Sequence, residues 1–60
     1  MSYYIRHRIG KYLASDRIIK YCDDIEHAIT FRDERDAEET IDRLFAHPNV
    51  VEIIEVEDGS

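Results

Sequence analysis

The apolar positions between residues 34 and 46 repeat with the period of an α-helix. They form a single stripe at i, i+4, i+7 and i+8, made of Ala37, Ile41, Leu44 and Phe45. Asp33 stands at the expected N-cap, and Asp36 follows three residues later, where a capping box has its acid. Pro48 disfavours helical angles in the residue before it. The pattern therefore predicts a helix over about residues 34–46.

Other segments are rich in β-branched and aromatic residues and are bounded by turn residues, which is typical of short strands. They are residues 3–8, 11–14, 18–22, 28–31 and 50–57. Gly10 lies between the first two, at the position of a hairpin turn that needs a positive φ. Residues 25–27 are expected to form a bend or one helical turn. The order predicts an α+β fold, with a small, mostly antiparallel sheet of four to five short strands and one helix packed on one face.

The length of 60 residues and the hydrophobic content of 43% indicate one small globular domain spanning residues 1–60. Cys22 is the single cysteine and has no partner for an internal disulfide. A reducing, cytoplasmic setting is therefore expected. The N-terminal residues lack the apolar run of a signal peptide, and no stretch approaches the ~20 apolar residues of a membrane helix. No membrane association is expected.

The charge is divided by position along the chain. Residues 1–22 hold five basic residues against one acid, whereas residues 23–60 hold three against thirteen, for a net charge of −6. A net charge of this size and asymmetry affects solubility and the choice of partner, and it does not indicate any particular reaction.

The exposed side of the predicted helix is the first candidate for a partner-binding surface. Its acids are Glu34, Asp36, Glu38, Glu39 and Asp42, and Glu52, Glu55, Glu57 and Asp58 add to the same field. Such a face fits a basic partner or imitates a row of phosphates. The alternative is an ordinary solvated helix face, in which Glu39 forms i, i+4 pairs with Arg35 and Arg43. For a contact role we expect Glu34, Glu38, Glu39 and Asp42 to carry the binding.

The N-terminal hairpin is the second candidate, because aromatic and basic residues alternate there. Its tyrosines are Tyr3, Tyr4, Tyr12 and Tyr21, and its cations are Arg6, Arg8, Lys11 and Lys20. Tyr and Arg dominate binding energy at protein interfaces, and Tyr4, Arg6 and Arg8 are the residues expected to bind a protein. The same combination suits single-stranded nucleic acid, although the net negative charge opposes that partner.

No catalytic, cofactor or metal pattern is evident. The three histidines lie twenty residues apart, whereas metal ligands normally sit a few residues apart. Cys22 and His27 lack a third orienting group, and neighbouring acids raise the pKa of a thiol, so Cys22 is interpreted as a buried structural residue. The acids at residues 23–26 lack the alternating spacing and glycine of a calcium loop. We expect no enzymatic activity, no cofactor and no metal.

Several segments in series cover most of the chain. They are Tyr-Tyr-Ile-Arg at residues 3–6, Gly-Lys-Tyr-Leu at 10–13, Asp-Ile-Glu-His-Ala-Ile-Thr-Phe at 24–31, Asp-Glu-Arg-Asp-Ala-Glu-Glu at 33–39 and Val-Glu-Ile-Ile-Glu-Val at 51–56. Together they resemble a loose class of very short phage and prophage proteins. The resemblance implies a compact product that binds a host protein in the host cytoplasm, and it transfers no catalytic residue.

We therefore expect a non-enzymatic protein–protein interaction module, a phage-type inhibitor or modulator of a host protein. The alternative is a nucleic-acid-binding accessory protein that uses the N-terminal hairpin. A homodimer is also expected, because a core this small gains from further apolar burial. Its contact is predicted around Val50, Val51 and Ile53, with the strand acids at the rim.

Overall fold

The computed structural model describes residues 1–57, within which four strands and one α-helix form. The strands are β1 (Ser2–His7), β2 (Tyr12–Leu13), β3 (Tyr21–Cys22) and β4 (Val51–Val56), and the helix is α1 (Glu34–Leu44). Short 3-10 helices occur at Ile25–His27 and Pro48–Val50. Asp58, one of the acids noted above, lies outside the described residues.

The four strands form a single antiparallel sheet in the order β3-β2-β1-β4. The first and last strands of the chain are neighbours and pair over six residues, from Ser2 opposite Val56 to His7 opposite Val51. Among the described strands, β4 therefore lies at one edge of the sheet and is bonded to a strand on one side only. The predicted α+β fold is confirmed.

The turn between β1 and β2 is built as the sequence predicts. Gly10 has a φ of 87°, in the left-handed region that residues with a Cβ avoid. Its N–H donates to the carbonyl of His7 at 2.9 Å, and the N–H of His7 donates to the carbonyl of Lys11 at 2.7 Å. This closed turn starts β2 beside the end of β1.

The prediction of a strand at residues 28–31 is wrong. Phe31 instead forms an isolated bridge with Tyr3, through two backbone hydrogen bonds of 2.9 Å, and Ile29 donates to the carbonyl of Leu13. The edge of β1 that pairs with Phe31 also pairs with β2 at Arg6, so little of it is left for another strand.

The second and third strands are shorter than predicted, with two residues each. Residues 15–20 form a loop in which Ile18 and Ile19 are 61% and 50% exposed. The guanidinium of Arg43 donates to the carbonyl of Asp16, which holds this loop against α1 rather than in the sheet.

Helix α1 is two residues shorter than predicted at its C-terminal end. Phe45 is the C-cap and donates its N–H to the carbonyl of Ile41, while Pro48 begins the following 3-10 helix. Asp33 occupies the N-cap position with an extended backbone, but its side chain makes no capping hydrogen bond. The predicted capping box is therefore wrong, although the start of the helix is right.

The core lies between α1 and one face of the sheet. Its buried members are Ile5, Leu13, Phe31, Ala37, Ile41, Phe45 and Val51. The predicted apolar stripe of the helix is buried except for Leu44, which is half-buried. Thr40 is also buried, and its hydroxyl donates to the carbonyl of Asp36 at 3.0 Å, so burial leaves it with a partner.

Alternation along the strands separates the two faces of the sheet. Ile5 faces α1, so its neighbours two residues away on β1, Tyr3 and His7, share that face, which we call the covered face. Residues directly opposite each other on paired strands also share a face. The opposite face, which we call the open sheet face, carries Ser2, Tyr4, Arg6, Tyr12, Cys22, Glu52, Ile54 and Val56.

Candidate interaction surfaces

An open groove of about 460 Å³ lies between α1 and β4. Its acidic lining residues are Glu34, Glu38 and Asp42 of the helix and Glu52 of the strand. Its apolar lining residues are Ile41, Pro48, Val51 and Ile53. We call this site the acidic groove, because carboxylates surround an apolar floor and, among residues 1–57, no basic side chain lines it.

The helical part of the acidic groove follows from spacing. Glu34, Glu38 and Asp42 are four residues apart, which places them one above another along one side of α1. All three are exposed, and none of them takes part in an ion pair within residues 1–57. Ile41 is next to Asp42 in the sequence and belongs to the core, so α1 supplies three of the acids and one residue of the apolar floor.

The strand part of the acidic groove reaches the edge of the sheet. Val51, Glu52 and Ile53 are consecutive and all line the groove. Because neighbouring side chains of a strand point to opposite faces, three consecutive lining residues indicate that the groove runs along the edge of β4. This is the edge that is not bonded to β1, so its backbone groups are available to a partner.

The structure divides the acids that the sequence placed on one helix face. Glu34, Glu38 and Asp42 come together with Glu52, whereas Glu39 is exposed on the outer side of α1, away from the groove. Sequence reasoning treated Glu52 only as part of the general field. The i, i+4 spacing of the three helix acids next to Ile41 was the available signal for this grouping.

The alternative of i, i+4 pairs on the helix surface is not realised. The ion pairs found between described residues are Arg6–Glu52 and Lys11–Asp23, and neither lies on α1. Arg43 is bonded to the loop carbonyl of Asp16 instead of to Glu39. The acidic side of the helix is thus less neutralised by its own arginines than the sequence suggests.

The raised pKa of Tyr3 reflects the negative charge of carboxylates on α1 and β4. The carboxylate of Glu55 is the main cause that raises the pKa of Tyr3, followed by burial and by the charges of Glu34 and Asp33. Glu55 belongs to β4 and Glu34 to α1, so carboxylates of both elements act on one hydroxyl. The pKa of Tyr21 is raised by burial alone.

The tyrosines and arginines of the N-terminal candidate site do not all lie on the same face of the sheet. Tyr3 and Tyr21 pack against the core on the covered face, where the ring of Tyr21 meets His7 edge-on at 5.2 Å. Tyr4, Arg6 and Tyr12 share the open sheet face. The aromatic and basic residues of this candidate site are therefore divided between the two faces of the sheet.

The remaining cations of that candidate site are not equivalent. Arg6 lies opposite Tyr12 on one side and Glu52 on the other, with 3.9 Å between Nη1 and Oε1. Arg8 follows the end of β1, is exposed, and donates its N–H to the carbonyl of Val50 at 3.1 Å. Of Tyr4, Arg6 and Arg8, the regular strand therefore holds only Tyr4 and Arg6 on the open sheet face.

The groups with reactive chemistry have structural partners. Cys22 is half-buried rather than buried, and its thiol donates to the carbonyl of Asp24 at 3.2 Å. Asp24 accepts the N–H of Glu26, and Asp23 pairs with Lys11 at 2.5 Å. Within residues 1–57 no group of three or more His, Cys, Asp or Glu side chains is arranged to hold a metal ion.

None of the helices in residues 1–57 combines the length and the apolar character needed to cross a membrane. The chain matches no family model, no curated protein and no solved structure. The function is therefore inferred from the two surfaces.

Proposed function

We propose that this chain is a non-enzymatic interaction module that binds a basic segment of another protein in the acidic groove. The observation that carries the proposal is the convergence of Glu34, Glu38 and Asp42 with Glu52 around an apolar floor, next to an unpaired strand edge.

The two parts of the groove have different roles in binding. Carboxylates at a rim attract a basic partner and reject acidic ones, so they act mainly on association rate and selectivity. The floor supplies apolar contact, which is the main source of affinity, chiefly through Pro48, which is exposed, and Ile53, which is half-buried. A basic segment that also carries apolar side chains satisfies both parts.

The resemblance to short phage proteins supports a host protein as the partner, met in the host cytoplasm. Binding would inhibit or redirect that protein by occupying its basic segment. The net charge of −6 supports the same direction, because it favours encounter with basic surfaces over nucleic acid.

Nucleic acid binding remains the second candidate, because Tyr4, Arg6 and Tyr12 lie together on the open sheet face. Stacking of bases on tyrosine beside a cation is how single strands are held. The carboxylate of Glu52 beside Arg6 counts against it, since affinity for a single strand depends on net positive charge. This candidate requires that the chain bind single-stranded nucleic acid at low salt and that the affinity fall steeply as salt is added.

The test of the acidic groove uses two sets of charge reversals that are matched in number. The groove set is Glu34→Lys, Glu38→Lys and Asp42→Lys. The control set is Glu26→Lys, Glu39→Lys and Glu57→Lys, which are exposed and do not line the groove. Both sets change the net charge equally, so a difference between them reports position rather than total charge.

The probe is a fluorescent twelve-residue peptide of alternating lysine and leucine, measured by anisotropy against both sets. We expect the groove set to weaken binding by about tenfold or more and the control set to change it by much less. Equal losses would show that only total charge matters, and unchanged binding by the groove set would overturn the site. Far-UV circular dichroism, with Glu34→Gln, Glu38→Gln and Asp42→Asn as neutral variants, separates lost binding from lost folding.

A further inference from the structure

The open sheet face carries apolar side chains that the core does not use. Tyr4, Tyr12, Ile54 and Val56 are each half-buried, and none belongs to the side chains that pack against the core cluster. The single α-helix of residues 1–57 lies on the other face. An antiparallel sheet tolerates one solvated face, but such a face normally carries polar residues.

The charges of the open sheet face are balanced. Arg6 and Glu52 lie opposite each other in the register, and their side chains are 47% and 65% exposed. Within the paired strands the face carries one cation and one anion, so these strands select neither a strongly acidic nor a strongly basic surface. The face is complementary instead to a surface that carries the same pair in the reverse order.

We propose that a second copy of this chain covers the open sheet face, related by a two-fold axis that runs parallel to the strands midway between β1 and β4. Rotation about this axis places β1 of one copy over β4 of the other. Arg6 then faces Glu52 of the second copy, and Tyr4 faces Ile54, because each of these pairs is in register within one chain.

This arrangement assigns the dimer contact to a different face from the one predicted. Val51 is 8% exposed within the core, and Ile53 packs against it on the covered face, so both are used within the chain. The apolar residues of β4 that remain for a second copy are Ile54 and Val56, which point to the open sheet face. Of the residues that line the acidic groove, only Glu52 lies on the open sheet face, so pairing of the open faces leaves the helix acids and the apolar floor of one groove free on each copy.

The area of the open sheet face determines how stable the proposed dimer is expected to be. A six-residue strand is about 20 Å long and the four strands span about 14 Å, from the usual rise and spacing of strands. Such a face buries less than the ~800 Å² per partner of a standard interface. We therefore expect a reversible dimer whose population rises with concentration, and whose selectivity depends on the Arg6–Glu52 contacts at its end.

Sedimentation velocity over a concentration series, on the whole chain, tests the proposal with two single charge reversals. Arg6→Glu leaves two acids on each face and Glu52→Arg leaves two cations, so each variant alone repels its own copy. We expect each to weaken dimerisation by about tenfold or more. An equimolar mixture of the two should restore dimers, because each acid of one chain then faces a cation of the other.

The mixture is decisive because residues 6 and 52 still carry like charges within each variant chain. Dimers that form on mixing therefore depend on contacts between the two chains and not on a restored pair within one chain. Wild-type protein that remains monomeric at the highest concentration, or folded variants that fail to form mixed dimers, would overturn the proposal. Ile54→Ser should also weaken the dimer, whereas Ile18→Ser, in the exposed loop, should leave it unchanged. Stoichiometric binding of a single-stranded oligonucleotide that Tyr4→Ala abolishes, by a wild-type monomer, would assign the face to nucleic acid instead.

Discussion

The two faces of the sheet are made by the same strands and have different surroundings. On the covered face, Ile5 and Leu13 are completely buried and Val51 nearly so, because α1 closes that side. On the open sheet face the alternate residues of the same strands, such as Tyr4 and Ile54, stay half-buried. Both faces carry apolar side chains, but only one of them excludes water.

The difference shows which apolar residues stabilise the isolated chain. A small domain with one helix can close one layer of contacts, so the covered face supplies most of the stability. Apolar residues on the other face gain little until a partner covers them. The same logic applies to α1, whose stripe is buried while its groove side keeps unpaired acids.

The largest expected effect compares truncations on the two faces. Ile5→Ala should lower the free energy of unfolding by ~2–5 kcal/mol, because it removes a completely buried side chain from a core with little reserve. Ile54→Ala should cost less than about 1 kcal/mol, since that side chain is only half-buried and lies outside the core cluster. Urea unfolding followed by circular dichroism, at low protein concentration, measures both. Equal losses would show that the open sheet face is packed as firmly as the covered one.

A smaller effect is expected at the turn that brings Tyr12 beside Arg6 on the open sheet face. Gly10→Ala should lower the unfolding free energy by ~1 kcal/mol, because alanine disfavours a φ of 87°. No atom lies within 4 Å of the added Cβ, so the cost comes from the backbone and not from a clash. Gly10→Asn, which tolerates this conformation better, should lose less. An unchanged unfolding midpoint for Gly10→Ala would contradict the turn geometry.

The smallest effect is confined to high pH and concerns the covered face. The pKa values of Tyr3 and Tyr21 are raised in the folded state, so folding favours the protonated phenols. Their contribution to stability is complete below the unfolded pKa of about 10 and is lost as the pH rises through the higher folded values. The free energy of unfolding should therefore fall between about pH 9 and about pH 12. The fall should be smaller in Tyr3→Phe and in Tyr21→Phe, because each lacks one of the two phenols. An unchanged slope in both variants would argue against the raised pKa values.

The local elements were predictable because their signals are local. The stripe from Ala37 to Phe45 and the glycine of the first turn depend on neighbours a few residues away. Errors arose where a segment competes for long-range partners. Residues 28–31 have strand composition, but β2 and Phe31 share one edge of β1, and only a single bridge forms there.

The candidate surfaces were predictable in residue type and not in grouping. Glu34, Glu38 and Asp42 were correctly placed on one helix, whereas the partnership with Glu52 requires β4 to lie beside the groove side of α1. Tyr3 and Tyr4 are adjacent in sequence, and the pleat sends them to opposite faces of the sheet.

The amino-acid sequence by itself determined the helix, the first turn, the strand character of both ends of the chain and the α+β class. Periodicity of 3.6 or 2 residues and the φ available to glycine are properties of short segments. Only the tertiary structure decided that β1 and β4 are neighbours, that β4 has a free edge, and which alternate residues face the helix. Those features depend on strand order and register, which are set by packing between residues far apart in the chain.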